Sequence, residues 1–348
     1  MSLLDALAVE EHHGFEEVNR AILRAGLGDG LPVVPPTPAR VAAMLGGRDP
    51  ARGVAVLPPA RGEATLRRLA LCAVLAGCEP AQLPLLLAAT EALAEPALNL
   101  LGVATTTGTA AVGLIVHGPA ARAGGVHGGA NALGPGAAGN ATLGRALALV
   151  LRNVAGAVPG RTDLATQGQP AKYGLCFAEQ EAAAPWGPLH AARGLPAGAG
   201  AVTVFACSGL LEIVDAASAD GAGVLTTCAQ SMLAAGSLGG TGLLGGGQPL
   251  LLLAPEHAEL IARTHTRAQA QAALHAQARL PLERLAPDVR AHLLDSLPPG
   301  TAAPEALPVA MRPEEILLAV VGGVGRKSTY LPGWGGGSRA VTRPVTLG

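Results

Sequence analysis

The spacing of apolar residues divides the chain into predicted helices and strands. Residues 3–25 carry apolar side chains at helical spacing, which predicts an amphipathic helix. Continuous runs of Val, Leu, Ile and Ala predict buried strands at 112–116, 202–206, 249–254 and 316–321. The remaining periodic segments predict helices over 61–94 (a pair, divided near residue 79), 141–154 and 223–235. Helices that alternate with buried strands indicate an α/β fold with mixed sheets.

The order of these elements predicts two lobes, with glycine-rich ligand loops that converge on a cleft. An N-terminal lobe over 1–195 would hold most of the polar residues, and a C-terminal α/β lobe over 200–348 would end in a second glycine-rich loop. A short strand is also predicted over 172–178, with Tyr173 and Phe177 on one face and Lys172 and Cys176 on the other.

Composition narrows the class of protein. Apolar residues make up 49% of the chain and charged residues 14%, which excludes disorder over most of its length. Aromatic residues are only 2%, so the core is built from small aliphatic side chains, and 48 glycines and 28 prolines indicate many tight turns. The formal net charge is −1, and no basic cluster with interleaved aromatics occurs, so we expect no nucleic-acid partner.

The same features predict a cytoplasmic protein. The acidic N-terminus lacks the basic start and apolar run of a signal peptide, and five irregularly spaced cysteines suit reduced thiols. The long uncharged segment 221–255 is interrupted by polar residues and glycines, so it predicts a buried core and no membrane span. Low charge and many glycines favour a homo-oligomer.

Residues able to do chemistry are concentrated in 140–194. Cys176 is the best nucleophile candidate, because His190 follows fourteen positions later, beyond a rigid PWGP turn that could fold it back as a base. Glu179 or Glu181 could orient this histidine or act as general acid and base. The alternative is a buried, inert Cys176 with a surface histidine.

Two glycine-rich regions predict an anion site. The loop 124–140 could present backbone amides, with Asn140 as the cap of a helix that starts at residue 141. The predicted ligands for an acidic substrate in a cleft between the lobes are Asn131, Asn140, Arg145, Lys172, Lys327, Ser328, Ser338 and Arg339. Tight loop connections and salt-bridged cations are the structural alternatives.

Cofactor motifs are weak. Residues 134–139 fit G-x-G-x-x-G, but no clear strand precedes them and no acidic residue follows at the required distance. The segment GGVGRKS lacks the P-loop glycine before Lys327. A metal centre of His127, Glu179 and either His190 or Cys176 remains possible without the close spacings typical of zinc motifs. His117 ends a predicted strand, where ligand groups gather, although a lone histidine there is more often structural.

The segments ANATLGRAL, KYGLCFAEQE and PWGPLH, with the opening GDGLPVVPPT and the end VVGGVGRKSTYLPGWGGGSRAVTRP, resemble a family of bacterial proteins of unassigned function. The opening is also similar to that of small UGSC-type thiol or selenol proteins. The sequence departs from the family pattern at His127, where a small polar residue is expected, and at Gln180, where asparagine is expected. The resemblance implies a bacterial metabolic protein, with a UGSC-type protein as a partner.

These observations together predict an enzyme without a cofactor. It would be a hydrolase or lyase that cleaves a C–N or C–S bond in a small carboxylate- or amide-bearing metabolite, with Cys176 as nucleophile and His190 and Glu179 as acid and base. The alternatives are a metal-dependent enzyme with His, Glu or Cys ligands and a non-catalytic ligand-binding subunit.

Overall fold

A computed structural model describes residues 4, 5, 7, 9, 10, 13–234, 247–297 and 302–346. Within these ranges the α-helices are α1 Phe15–Arg24, α2 Pro38–Leu45, α3 Leu66–Ala76, α4 Leu83–Leu93, α5 Leu100–Thr105, α6 Gly118–Ala123, α7 Ala138–Val150, α8 Leu189–Ala192, α9 Gly221–Ala234, α10 Pro255–Ala262, α11 Arg267–Gln277 and α12 Pro287–Asp295. The strands are β1 Gly53–Leu57, β2 Gly62–Thr65, β3 Ala111–His117, β4 Leu175–Ala178, β5 Ala201–Cys207, β6 Leu211–Val214, β7 Leu250–Leu253, β8 Arg279–Pro281, β9 Ala306–Pro308, β10 Leu317–Val320, β11 Lys327–Leu331 and β12 Val341–Pro344.

The protein is therefore α/β, as the apolar pattern predicts. All four strands predicted from continuous apolar runs are present, as β3, β5, β7 and β10. They are buried along nearly their whole length, which explains why their sequences do not alternate between apolar and polar residues. The predicted N-terminal helix is shorter than its apolar pattern and begins at Phe15.

Contacts divide the chain into two compact units. The first contains residues 1–179, 190–206 and 340–348, and the second contains 180–189 and 207–339. These boundaries differ from the predicted lobes in three places. Residues 180–189 belong to the second unit, whereas residues 200–206, which include most of β5, and the C-terminal strand β12 belong to the first. No helix in the described ranges is both long and apolar enough to cross a membrane.

The first unit is built on a four-stranded sheet with the order β12-β5-β3-β4. Strands β3 and β4 are parallel, and β12 is antiparallel to β5. Helices α3, α4 and α7 provide much of the aliphatic core, in which α3 is buried over nine of its eleven residues. Helix α3 begins where the Thr65 hydroxyl accepts a hydrogen bond from Arg68 N–H, and it ends at Gly77 in the left-handed conformation.

The second unit is built on a sheet with the order β10-β7-β11-β6. Strands β10 and β7 are parallel, and β11 is antiparallel to both of its neighbours. Its core is formed with α9, α10 and α11. The prediction of a helix over 223–235 is confirmed by α9 up to residue 234, and residue 235 lies outside the described residues. The predicted strand over 172–178 is only partly correct, because the sheet contains Leu175–Ala178 and residues 170–173 form a 3₁₀ turn.

Asp215 organises the turn between β6 and α9. Its carboxylate accepts hydrogen bonds from the N–H and hydroxyl of Ser218, the N–H of Ala217 and the hydroxyl of Thr227. Burial alone would raise the pKa of Asp215, but these hydrogen bonds outweigh burial and lower it to about 2. The ionised carboxylate therefore stabilises this turn.

Replacing Asp215 with asparagine should destabilise the protein at neutral pH. A folded-state pKa below the ordinary 3.8 means that the stabilisation is complete above pH 3.8 and is lost as the pH falls toward 2. After allowance for solvent screening, we expect a loss on the order of 1 kcal/mol at pH 7 that disappears near pH 2. Urea unfolding at both pH values measures this difference. Asp295→Asn, at an exposed position, should change stability little, and an equal effect of both variants would contradict the prediction.

Candidate metal centre

Two acid–base side chains meet at the carboxyl edge of the first unit's sheet. Strands β3 and β4 run parallel, and Val116 pairs with Ala178. His117 follows Val116 and Glu179 follows Ala178, so this register places the two residues side by side. The distance from His117 Nδ1 to Glu179 Oε2 is 3.2 Å. Both side chains are completely buried.

His190 completes the cluster from the short helix α8. Its ring centroid lies 4.9 Å from that of His117, and the ring itself is fully buried. His190 Nε2 lies 3.1 Å from the backbone oxygen of Ala197. Because a carbonyl oxygen only accepts, Nε2 carries a proton, so Nδ1 is the ring nitrogen that could bind a metal ion. One ligand atom from each of His117, Glu179 and His190 lies within 4.8 Å of the others.

A chain of polar side chains leads from the second ring nitrogen of His117 to Arg193. His117 Nε2 lies 2.9 Å from the Thr203 hydroxyl, which lies 2.9 Å from the Thr342 hydroxyl. These threonines are register partners on β5 and β12. Arg193 Nε donates to the Thr342 hydroxyl at 2.6 Å, and Arg193 NH2 donates to the Ala340 carbonyl. Burial lowers the pKa of Arg193. Metal-binding histidines typically have a hydrogen-bond partner of this kind on the second ring nitrogen.

The spacing within the cluster suits a metal ion. Imidazole nitrogen and carboxylate oxygen bind zinc at about 2.0–2.2 Å, so two ligands of one tetrahedral ion are ~3.3 Å apart. The observed separation of 3.2 Å between His117 Nδ1 and Glu179 Oε2 agrees with that distance. A divalent cation at the cluster would balance the charge of an ionised Glu179 carboxylate. The donor set of two imidazoles and one carboxylate is suited to zinc, iron, cobalt or manganese.

Of the first-unit residues predicted from the sequence to act together, Glu179 and His190 lie in this cluster. His127 does not, because it is exposed on the glycine-rich loop with its Nε2 donating to the Ala130 carbonyl. Glu181 begins a short 3₁₀ helix in the second unit and is half-buried. The sequence favours a structural role for His117, which the cluster includes. Its position at the end of an apolar strand is the sequence feature that indicates a ligand site.

Cys176 lies in the middle of β4 and is buried in the aliphatic core. A β-carbon at Gly144 would lie 3.1 Å from Cys176 Cβ, so helix α7 packs closely against this part of the strand. Burial raises the pKa of the Cys176 thiol. A nucleophilic cysteine requires the opposite, a thiolate in a polar and accessible environment. These observations favour the alternative in which Cys176 is a small core residue.

Cys176 should therefore resist alkylation in the native protein. We expect peptide mapping after brief iodoacetamide treatment at pH 7.5 to show no label on Cys176, and full labelling after unfolding in urea, because both access and thiolate are lacking. The Cys176→Ala variant should keep its metal affinity. Rapid and selective modification of Cys176 in the folded chain would instead support the thiolate mechanism.

The cations predicted to bind an anion in the first unit already have carboxylate partners. Arg145 donates from Nε and NH2 to the two oxygens of Asp29 and also to the carbonyls of Leu31 and Pro32. Lys172 Nζ lies 2.8 and 2.7 Å from the two oxygens of Asp163. Arg145 thus fixes the proline-rich segment after Gly30 onto α7, which is the structural alternative considered for it.

The glycine-rich loop is held by its two asparagines. Asn140 accepts from His127 N–H and donates to the carbonyls of His127 and Ala132. It lies inside α7, which begins at Ala138, so the predicted helix start at residue 141 is wrong by one turn. Asn131 has a positive φ of 59° and donates to the Pro135 carbonyl. Both side chains are engaged in loop structure.

Two of the four candidates in the second unit have side-chain partners within it. Ser328 is buried, accepts from Ala254 N–H and lies 2.8 Å from His257 Nδ1. Arg339 forms an ion pair with Glu315 at 3.2 Å. The other two differ in exposure, because Ser338 is buried whereas Lys327, at the start of β11, is exposed.

No protein-family model, curated protein or solved structure matches the chain. The resemblance to a bacterial family and the UGSC-type partner therefore stay predictions. The geometry of the cluster is the basis for any statement about function.

Proposed function

We propose that this chain is a metal-dependent enzyme of the hydrolase or lyase class. The observation that supports this most strongly is the convergence of His117, Glu179 and His190 at the carboxyl edge of a parallel strand pair. Ligand groups in α/β sheets gather at this edge. The proposal adopts the metal-dependent alternative, keeps Glu179 and His190 rather than Cys176, and replaces the predicted His127 with His117.

The first unit supplies three protein ligands to the cluster. A catalytic metal site with three protein ligands has a further position for water or substrate. A divalent ion held in this way polarises a carbonyl oxygen and makes bound water more acidic. The chain's own residues would hold the ion through the Nδ1 atoms of both histidines and one Glu179 oxygen. Ala197 and Thr203 would orient the imidazoles through their second ring nitrogens.

A metal-free arrangement is the competing function for the same residues. The 3.2 Å contact between His117 and Glu179 is also within reach of a weak hydrogen bond, with a proton shared between imidazole and carboxylate. In that case the pair would be a structural element of the core. Metal binding distinguishes the two, since a shared proton does not create a stoichiometric site.

The test is equilibrium dialysis of chelator-treated protein against Mn²⁺, Co²⁺ and Zn²⁺, followed by water-proton relaxation on the Mn²⁺-loaded form. We expect about one ion per chain and an exchangeable water on the bound manganese. Absence of stoichiometric binding would overturn the metal site. Stoichiometric binding without exchangeable water would overturn the enzymatic role and leave a structural metal.

A further inference from the structure

A second candidate site is a cavity in the first unit with a volume of about 230 Å³. Its walls come from α5, the start of β3 and the C-terminal half of α7, and most of the lining side chains are aliphatic or alanine. Leu100, Val103, Val112 and Leu149 are examples. A concave apolar site with a few polar groups is the usual form of a small-molecule site.

This cavity is separate from the metal cluster. It reaches β3 at residues 110–112, whereas His117 is the last residue of the same strand. Five residues of extended chain between Val112 and His117 correspond to about 16 Å. A ligand in the cavity therefore does not reach the proposed metal ion, and the inference goes beyond the proposed function.

The polar groups of the cavity determine which ligand it suits. Asp29 and Asp163 line it, but each carboxylate is already bonded through both oxygens, to Arg145 and Lys172 respectively. A cationic ligand would have to displace one of these partners. The lining carboxylates therefore do not favour an amine.

Arg152 differs from Lys172, the other cation of the lining, in its hydrogen-bond partner. Its Nε donates to the Gly26 carbonyl at 3.0 Å, which positions the guanidinium without neutralising it. Across the described ranges, no carboxylate forms an ion pair with Arg152. A guanidinium whose charge is not balanced is suited to bidentate binding of a carboxylate.

We propose that this cavity binds a small monocarboxylate with an apolar body, with its carboxylate on Arg152. A cavity of 150 Å³ accommodates benzene, so a ligand of roughly ten non-hydrogen atoms suits this one. The apolar body lies against α5, β3 and α7, and the acid group lies at Arg152.

The test uses calorimetry with the full-length, chelator-treated protein and three probes of one size: octanoate, octanamide and octylamine. We expect saturable binding of octanoate at one site per chain, at least about 10-fold tighter than octanamide, because a charged hydrogen-bonded pair is replaced by a neutral one. Equal binding of acid and amide, preference for the amine, or no saturable binding would each overturn the proposal.

Variants locate the site. Arg152→Gln should remove the preference for octanoate over octanamide while leaving amide binding unchanged. Ala148→Leu, on the α7 wall, should abolish binding of both probes by filling the cavity. Arg122→Gln, at an exposed position on α6, is the matched control and should bind like the wild type. Circular dichroism melts confirm that each variant is folded. Unchanged octanoate binding in Ala148→Leu would show that the ligand binds elsewhere.

Discussion

Replacing His117 with alanine should lower the affinity of the protein for a divalent metal ion by at least about 100-fold. The residue supplies one of three ligand atoms in the cluster, and changes to a partner outside the ligand shell alone cost 10- to 100-fold. Competition with a chelator of known affinity, performed on metal-free protein, measures the change. Unchanged affinity in a folded variant would contradict the assignment of His117.

Two further variants separate ligand loss from general damage. His127→Ala removes an exposed histidine that lies outside the cluster, and its metal affinity should equal that of the wild type. Thr203→Val keeps the side-chain shape but removes the hydroxyl at His117 Nε2, so we expect roughly 10-fold weaker binding. Equal losses in all three variants would indicate a stability effect, and the melting temperature of each metal-free variant checks this.

Replacing Gly128 with alanine should strongly destabilise the folded protein. A β-carbon at this position would lie 2.3 Å from the Ala178 carbonyl oxygen and 2.8 Å from its carbon. The strand cannot easily retreat, because Ala178 N–H donates to the His127 carbonyl at 3.0 Å. Relief of a clash between two backbones requires the loop and the end of β4 to separate. We expect a loss of roughly 3 kcal/mol or more in the free energy of unfolding, measured with urea.

The same substitution should weaken metal binding, because Glu179 directly follows Ala178. The matched control is Gly198→Ala, since a β-carbon there would have no neighbour within 4 Å. Its stability should change by less than about 0.5 kcal/mol. Comparable destabilisation in both glycine variants would contradict the close-approach explanation for the loop.

The strands could be predicted because their signal is local. Strands β3, β5, β7 and β10 are buried along nearly their whole length, so an uninterrupted apolar run identifies each of them without knowledge of the neighbours. The segment 172–178 was harder. Its alternation of apolar and polar residues is typical of a strand with one polar face. In the structure β4 is buried on both faces, and Lys172 lies in the preceding turn.

The site was only partly predictable because its key distances depend on register. His117 and Glu179 are 62 positions apart in the chain, and they meet only because β3 and β4 pair in parallel with Val116 opposite Ala178. Both residues follow apolar strands, which was the usable signal. The carboxylate partners of the cations could not be predicted for the same reason. Nothing near Arg145 in the sequence reveals that Asp29, 116 positions away, is its partner.

The most direct measurement is zinc K-edge X-ray absorption on the zinc-loaded protein. A site formed by His117, Glu179 and His190 should give nitrogen and oxygen scatterers at about 2.0–2.1 Å, with the multiple-scattering pattern of two imidazoles. The spectrum of the His117→Ala protein should lack one imidazole. A sulfur shell near 2.3 Å would contradict this site and indicate a cysteine ligand. A spectrum without imidazole scattering would show that zinc binds elsewhere.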